Sequence, residues 1–285
     1  MKKSFRKIIL YIVYGDDQGY YDGAKFSYLT FMNWVSEKDN IETVILTQKP
    51  EEFKNLPVKT ISISEKQKKD WSLNGKYHFR IKNRGLSYVM NKLKLVNGDK
   101  ILFFDTDTYF HKTPLPLFDL IQPNQALFYL NEGRIIKRKR FDVYVKTLEK
   151  KKIIIDNKGY ELSDKSRMWG SLMVGLMPNM YSSLEWSDKL LLELINIVPA
   201  HTIEPFALSE ALLRKYQIVE GKDFVSLYST SRKKLHATEI LSKFFEDYSD
   251  IRLEDKIKLA QKVKIKRSFI KVLKQRFLQI INHDK

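Results

Sequence analysis

The chain has no cysteine. That excludes a disulfide framework, a thiolate metal site and a cysteine nucleophile, and it fits a reducing compartment. No apolar run approaches the ~20 residues of a membrane-spanning helix. Internal repeats, Gly/Ser linkers and low-complexity tracts are missing too. So is any recognised nucleic-acid motif, and nucleic acid is not an expected partner. Acidic residues are in short supply: 34 Asp and Glu face 51 Lys and Arg, a formal charge of +17. A basic excess of this size favours anionic partners: nucleotide phosphates, anionic lipid, acidic glycans or nucleic acid. What is present is apolar bulk. Of 285 residues 43% are hydrophobic, including 17 Phe and 15 Tyr. That supports a sizeable core in one large domain or two modest ones and excludes a disordered composition.

Residues 1–7 are basic and residues 8–14 apolar, the two parts of a signal peptide. The apolar run ends in Gly15-Asp16-Asp17-Gln18, without a small-residue cleavage pattern, so it is expected to be a first buried strand. The expected location is cytoplasmic, or peripheral on the inner face of a membrane. A helix is expected over 23–36, where Tyr28, Phe31, Met32 and Val35 recur at helical spacing. Strands are expected over 43–47 and 58–63. This rhythm argues for an α/β fold. Asp16, Asp17, Tyr20 and Tyr21 follow the first strand and could meet a base or ribose, or form a polar turn and helix cap. A basic, aromatic stretch, 66–82, runs into a helix over 79–96. Arg80 and Lys82 near its start could reach an anionic ligand.

The central feature is Ile101-Leu102-Phe103-Phe104-Asp105-Thr106-Asp107, after the turn signal Asn97-Gly98-Asp99. A short unbroken apolar run reads as a strand buried on both faces. Ligands of open α/β sheets sit beyond the carboxyl ends of the strands. Two carboxylates there, one residue apart, suit a hard cation such as Mn2+ or Mg2+ on a polyphosphate. Thr113-Pro114-Leu115-Pro116 turns the chain away, because proline lacks the ladder donor. Another strand is expected over 125–130, then a charged surface excursion or lid over 131–152. Residues 168–177 are apolar with two glycines, where another backbone or a ligand comes close. A helix is expected over 182–197. The next places Pro205 at its first position and Glu204 at its positive end, where capping accounts for the glutamate. A last strand over 224–228 leads to a basic loop, 229–234, and His236.

Residues 251–285 hold eleven Lys/Arg against three Asp/Glu. Phe269, Leu273, Phe277 and Ile280 form one helical stripe. A basic amphipathic helical tail reads as a membrane-surface element, each Lys or Arg contributing ~1 kcal/mol on an anionic leaflet, or as a helix packed on the domain. The expected units are 1–250 and 251–285.

An Asp-x-Asp after an apolar strand serves two chemistries. One is metal-assisted transfer from a nucleotide diphosphate. The other is the aspartyl-phosphate chemistry of haloacid-dehalogenase-like phosphatases, where the first Asp is the nucleophile. Against the second, the motif's threonine stands at the fourth position, Thr108, instead of the fifth. The strand is not the first, and the late acidic pair Glu246-Asp247 follows a helical segment. A non-enzymatic alternative is a basic membrane- or nucleic-acid-binding module.

The chain resembles GT-A-type glycosyltransferases, in the neighbourhood of the family 8 enzymes and bacterial surface-polysaccharide transferases. The resemblance spans roughly residues 7–245. It is carried by the opening strand and polar loop, the Arg80 segment and Phe103-Phe104-Asp105-Thr106-Asp107. Trp169-Gly170-Ser171-Leu172-Met173-Val174-Gly175 and Glu204-Pro205-Phe206-Ala207-Leu208-Ser209 complete it. It implies a Rossmann-like GT-A fold: a mixed, mostly parallel sheet flanked by helices. It also implies transfer of a sugar from a nucleotide-diphosphate sugar to a glycan or lipid-linked acceptor, as in surface-polysaccharide synthesis, with Mn2+ or Mg2+. Asp105 and Asp107 would ligate the metal with His236. Asp16, Tyr20, Arg80, Lys82 and Asp105 would hold the nucleotide sugar, and Glu204 would contact or deprotonate the acceptor hydroxyl. The chain departs from the family after His236, where its glycine, proline and tryptophan are missing, and at Trp169-Gly170-Ser171, which lacks its asparagine.

Overall fold

Side chains alternate across a strand, and the first strand uses both sides. Ile9, Tyr11 and Val13 enter one apolar cluster, and Ile8, Leu10 and Ile12 enter another. A computed structural model of the chain describes residues 5–265. Its elements, in order, begin with β1 (Lys7–Val13), α1 (Gln18–Met32), β2 (Ile41–Thr47), β3 (Lys59–Ser62), α2 (Glu65–Trp71), α3 (Arg80–Lys92) and β4 (Lys100–Phe104). They continue with β5 (Thr108–Tyr109), α4 (Pro116–Asp119), β6 (Gln125–Arg134), α5 (Asp142–Lys150), β7 (Ile153–Ile155), β8 (Lys158–Tyr160) and β9 (Arg167–Leu176). The last are α6 (Tyr181–Leu194), α7 (Ile203–Leu213), β10 (Gln217–Glu220), β11 (Ser226–Leu227), α8 (Ser231–Asp247) and α9 (Leu253–Ala260).

Seven strands form one sheet in the order β10-β6-β9-β4-β1-β2-β3. Only β9 runs against its neighbours; the β1–β2, β1–β4, β2–β3 and β6–β10 pairs are parallel. The protein is therefore α/β, with a mixed, mostly parallel sheet flanked by helices. On one side α1, α8 and α9 pack through Phe26, Phe31, Leu241, Phe244 and Ala260. On the other, α3, α6 and α7 pack through Leu86, Val89, Leu184, Leu208 and Leu212. A smaller cluster joins Ile135, Phe141, Tyr144, Ile153, Ile155 and Tyr160 to α6 and α7.

Several expectations change. The helix expected from residue 23 starts at Gln18, because Asp17 accepts from the Gly19 N–H and caps it. Tyr20 and Tyr21 thus stand on a helix and not in a loop. Residues 131–152 are not a bare excursion: β6 continues to Arg134, and α5 and its neighbours bury Ile135, Phe141 and Tyr144. Pro205 is the third residue of α7, not the first. Residues 231–234 are the first turn of α8, not loop. Packing also crosses the expected 250/251 boundary. Ala260 and Ile265 are buried with α1 and α8, and the Gln261 side chain donates to the Thr30 carbonyl at 2.8 Å. The stripe Phe269, Leu273, Phe277 and Ile280 lies outside the described residues. Among those described, no helix is long and apolar enough to cross a membrane.

Candidate functional site

The chain runs outward from β1 through β2 to β3, then returns to the other side of β1 as β4. Strand order reverses there, and such a switch point opens a crevice beyond the carboxyl ends of the strands. A cleft occupies that place. Ile12, Val13 and Tyr14 line it from the end of β1, and Phe103, Asp105, Thr106 and Asp107 from the end of β4. Tyr20 enters from α1, His78, Phe79 and Lys82 from the start of α3, and Lys234 from α8.

The Asp105–Asp107 turn is held at almost every peptide. The Asp105 N–H donates to the Leu172 carbonyl of β9 at 2.8 Å. The Thr108 hydroxyl donates back to the Asp105 carbonyl at 2.7 Å. The Tyr228 hydroxyl donates to the Thr106 carbonyl and its N–H to the Asp107 carbonyl, each at 3.1 Å. Helix α1 comes so close that a Cβ on Gly23 would stand 2.5 Å from the Thr106 carbonyl oxygen. Glycine at position 23 is therefore a condition of this approach.

Charge is concentrated behind the turn. The Lys82 ammonium lies 3.3 Å from Asp105 and 3.6 Å from Glu204. It donates to the Ser171 carbonyl and hydroxyl at 3.1 Å. Burial opposes its charge, but Asp105 and Glu204 outweigh that and raise its pKa. Burial pushes the Asp105 carboxyl up to about 7; Lys82 opposes the shift, while Asp107 and Glu204 add to it. Burial likewise raises Glu204, against the pull of Lys82 and the Ser171 hydroxyl, which donates to it at 2.8 Å. Asp107 pairs with Lys234 at 3.0 Å through one oxygen. Its other oxygen is buried without a hydrogen-bond partner among the described residues, as is one oxygen of Glu204. Three carboxylates thus face two ammonium groups. Burial first, and the two neighbouring carboxylates after it, make Asp105 keep its proton to about pH 7.

The structure brings Tyr20, Lys82, Asp105 and Asp107 to one cleft. Glu204, 1% exposed, stands behind that wall on Lys82 and Ser171. Three expected residues are elsewhere. The Asp16 side chain is 96% exposed and pairs with Lys49. Arg80 is buried in a two-pronged pair with Asp188, at 2.6 and 2.7 Å, so its fork is already taken. His236 is not on the cleft wall. It lies two residues after Lys234 on α8, and residues so spaced do not share a helix face. Among the described residues no group of three or more His, Asp or Glu is arranged to hold a metal. Sequence reasoning missed Lys234, His78, Phe79 and the supports Tyr228 and Gly23. Of these only Gly23, a glycine in a helical pattern, carries a local signal.

The donor set nevertheless fits a hard divalent cation. Asp105 and Asp107 offer carboxylate oxygens, one of them buried and unpartnered, in a site with surplus negative charge. The chain matches no protein-family model and no curated protein.

Proposed function

We propose that the protein is a metal-dependent glycosyltransferase of GT-A type, which moves a sugar from a nucleotide-diphosphate sugar to a glycan or lipid-linked acceptor. One observation supports this above all: two carboxylates one residue apart converge on a cleft at the switch point of a mostly parallel sheet. In the reaction the bond from the anomeric carbon to the diphosphate breaks, and its electron pair leaves on the diphosphate. The acceptor oxygen bonds to that carbon and gives up its proton to water. Mn2+ or Mg2+ on Asp105 and Asp107 would supply Lewis-acid stabilisation of the leaving charge. Lys82 adds a fixed positive charge that needs no reorganisation as the reaction proceeds. Glu204 and Ser171 hold that ammonium and are positioning residues. Tyr20 and Phe79, both partly exposed at the cleft, offer apolar faces to a base.

The test is release of nucleotide in Mn2+ from UDP- and GDP-sugars. CMP-sugars, which lack a pyrophosphate, serve as the contrast. Release from one donor is expected. Asp105→Asn and Asp107→Asn should each lower it by about a hundredfold or more, with circular dichroism unchanged. Undiminished release in both folded variants contradicts the proposal.

A further inference from the structure

The two lysines of the cleft are held differently. Lys82 is tied to oxygens of Asp105, Glu204 and Ser171, and its side chain is 12% exposed. Lys234 stands in the first turn of α8 with its side chain 44% exposed, and Asp107 is its ion-pair partner. It satisfies one oxygen of that carboxylate and leaves the other, buried oxygen unpartnered. An ammonium on a flexible four-carbon stem is a mobile point charge. Lys234 can swing from Asp107 without disturbing α8, which is fixed on α1 by Phe244 against Phe26. Lys82 cannot leave without stranding the buried Glu204 carboxylate and the half-buried Asp105 carboxylate.

We propose that Lys234 is a displaceable counter-ion: it competes with the divalent cation for Asp107 and, once displaced, turns to the phosphates of the nucleotide. This rests on the reading of Asp105 and Asp107 as metal ligands. The consequence is a coupling between ligands. The cation alone must evict Lys234. A nucleotide diphosphate alone must draw Lys234 away from Asp107. When both bind, the pair is broken once and both gain, so each ligand tightens the other.

The test is calorimetric binding of Mn2+ alone, of UDP or GDP alone, and of both together, to the full chain and to Lys234→Met. The control is Lys233→Met, which removes the same charge from an exposed neighbour with no ion pair among the described residues. Without nucleotide, Lys234→Met should bind Mn2+ on the order of threefold to tenfold tighter than wild type. It should bind the nucleotide more weakly and show less mutual tightening. Lys233→Met should stay within about twofold of wild type in Mn2+ affinity, the scale of one screened surface charge. Unchanged or weaker Mn2+ binding by Lys234→Met, with Mn2+ bound by wild type, overturns the counter-ion role and leaves the metal reading standing. Equal tightening in Lys233→Met reduces the effect to net charge and also overturns it. Absence of Mn2+ binding from wild type and both variants overturns the inference and the metal reading together.

Discussion

Glu210 shows what burial does to a carboxyl away from the cleft. One of its oxygens accepts from the Tyr160 and Ser166 hydroxyls at 2.9 Å each. Burial raises its pKa, and the hydrogen bonds from Ser166 and Tyr160 only partly oppose that. The native state therefore holds this proton at pH values where the unfolded chain has released it. Its contribution to stability is complete below the ordinary glutamate range and is lost as pH rises through the raised value. Glu210→Gln keeps an acceptor for both hydroxyls but cannot ionise. The unfolding free energy of the variant, relative to wild type, should thus rise from about pH 4 upward. Urea titrations across pH would check this, and parallel profiles would contradict it. Arg80 and Asp188 illustrate the opposite case. There each buried charge has its partner, and removing one would strand the other.

At the scale of elements, the most informative contact is between α1 and the Asp105–Asp107 turn. Gly23→Ala gains helix propensity of ~1 kcal/mol. Its methyl group would nevertheless stand 2.5 Å from the Thr106 carbonyl oxygen and 3.0 Å from the Tyr228 hydroxyl. A clash with backbone has no rotamer to relieve it, and overpacking costs ~1–3 kcal/mol, so the clash should prevail. Denaturation should show a net loss of stability, and donor turnover should fall as the turn shifts. If both are unchanged, α1 is not held to the turn in this way. The same glycine shows how sequence reading fails. Gly19, after Gly15, weakens the helical pattern of 18–22, so α1 reads as starting late. What keeps Gly23 is a tertiary contact that no local window contains. β1 and β4 were legible because unbroken apolar runs between polar turns describe strands buried on both faces. Asp105 and Asp107 were legible for the same reason, being the first polar residues after such a run. Residues 231–234 read as a basic loop because α8 has no side-chain cap to announce its start. Glu204 read as a cap, but its side chain turns inward to Ser171 and Lys82.

Across the whole molecule, the site is assembled from distant parts of the chain: β1, α1, the start of α3, the end of β4 and the start of α8. Sequence order reveals the sheet and one motif; the encounter of Lys82 with Ser171, or of Lys234 with Asp107, is set by the fold. The same holds for residues 251–265. Their basic composition marks them off, yet Leu253, Ile257, Ala260 and Ile265 complete the core over α1. The surplus of carboxylates at the switch point is where all of this converges on function. The most direct measurement is an anomalous-difference map from crystals grown with Mn2+ and UDP or GDP. A peak in the cleft within coordination distance of both Asp105 and Asp107 is expected. Bound nucleotide with no peak there, or a peak that leaves both carboxylates on their lysines, would contradict it.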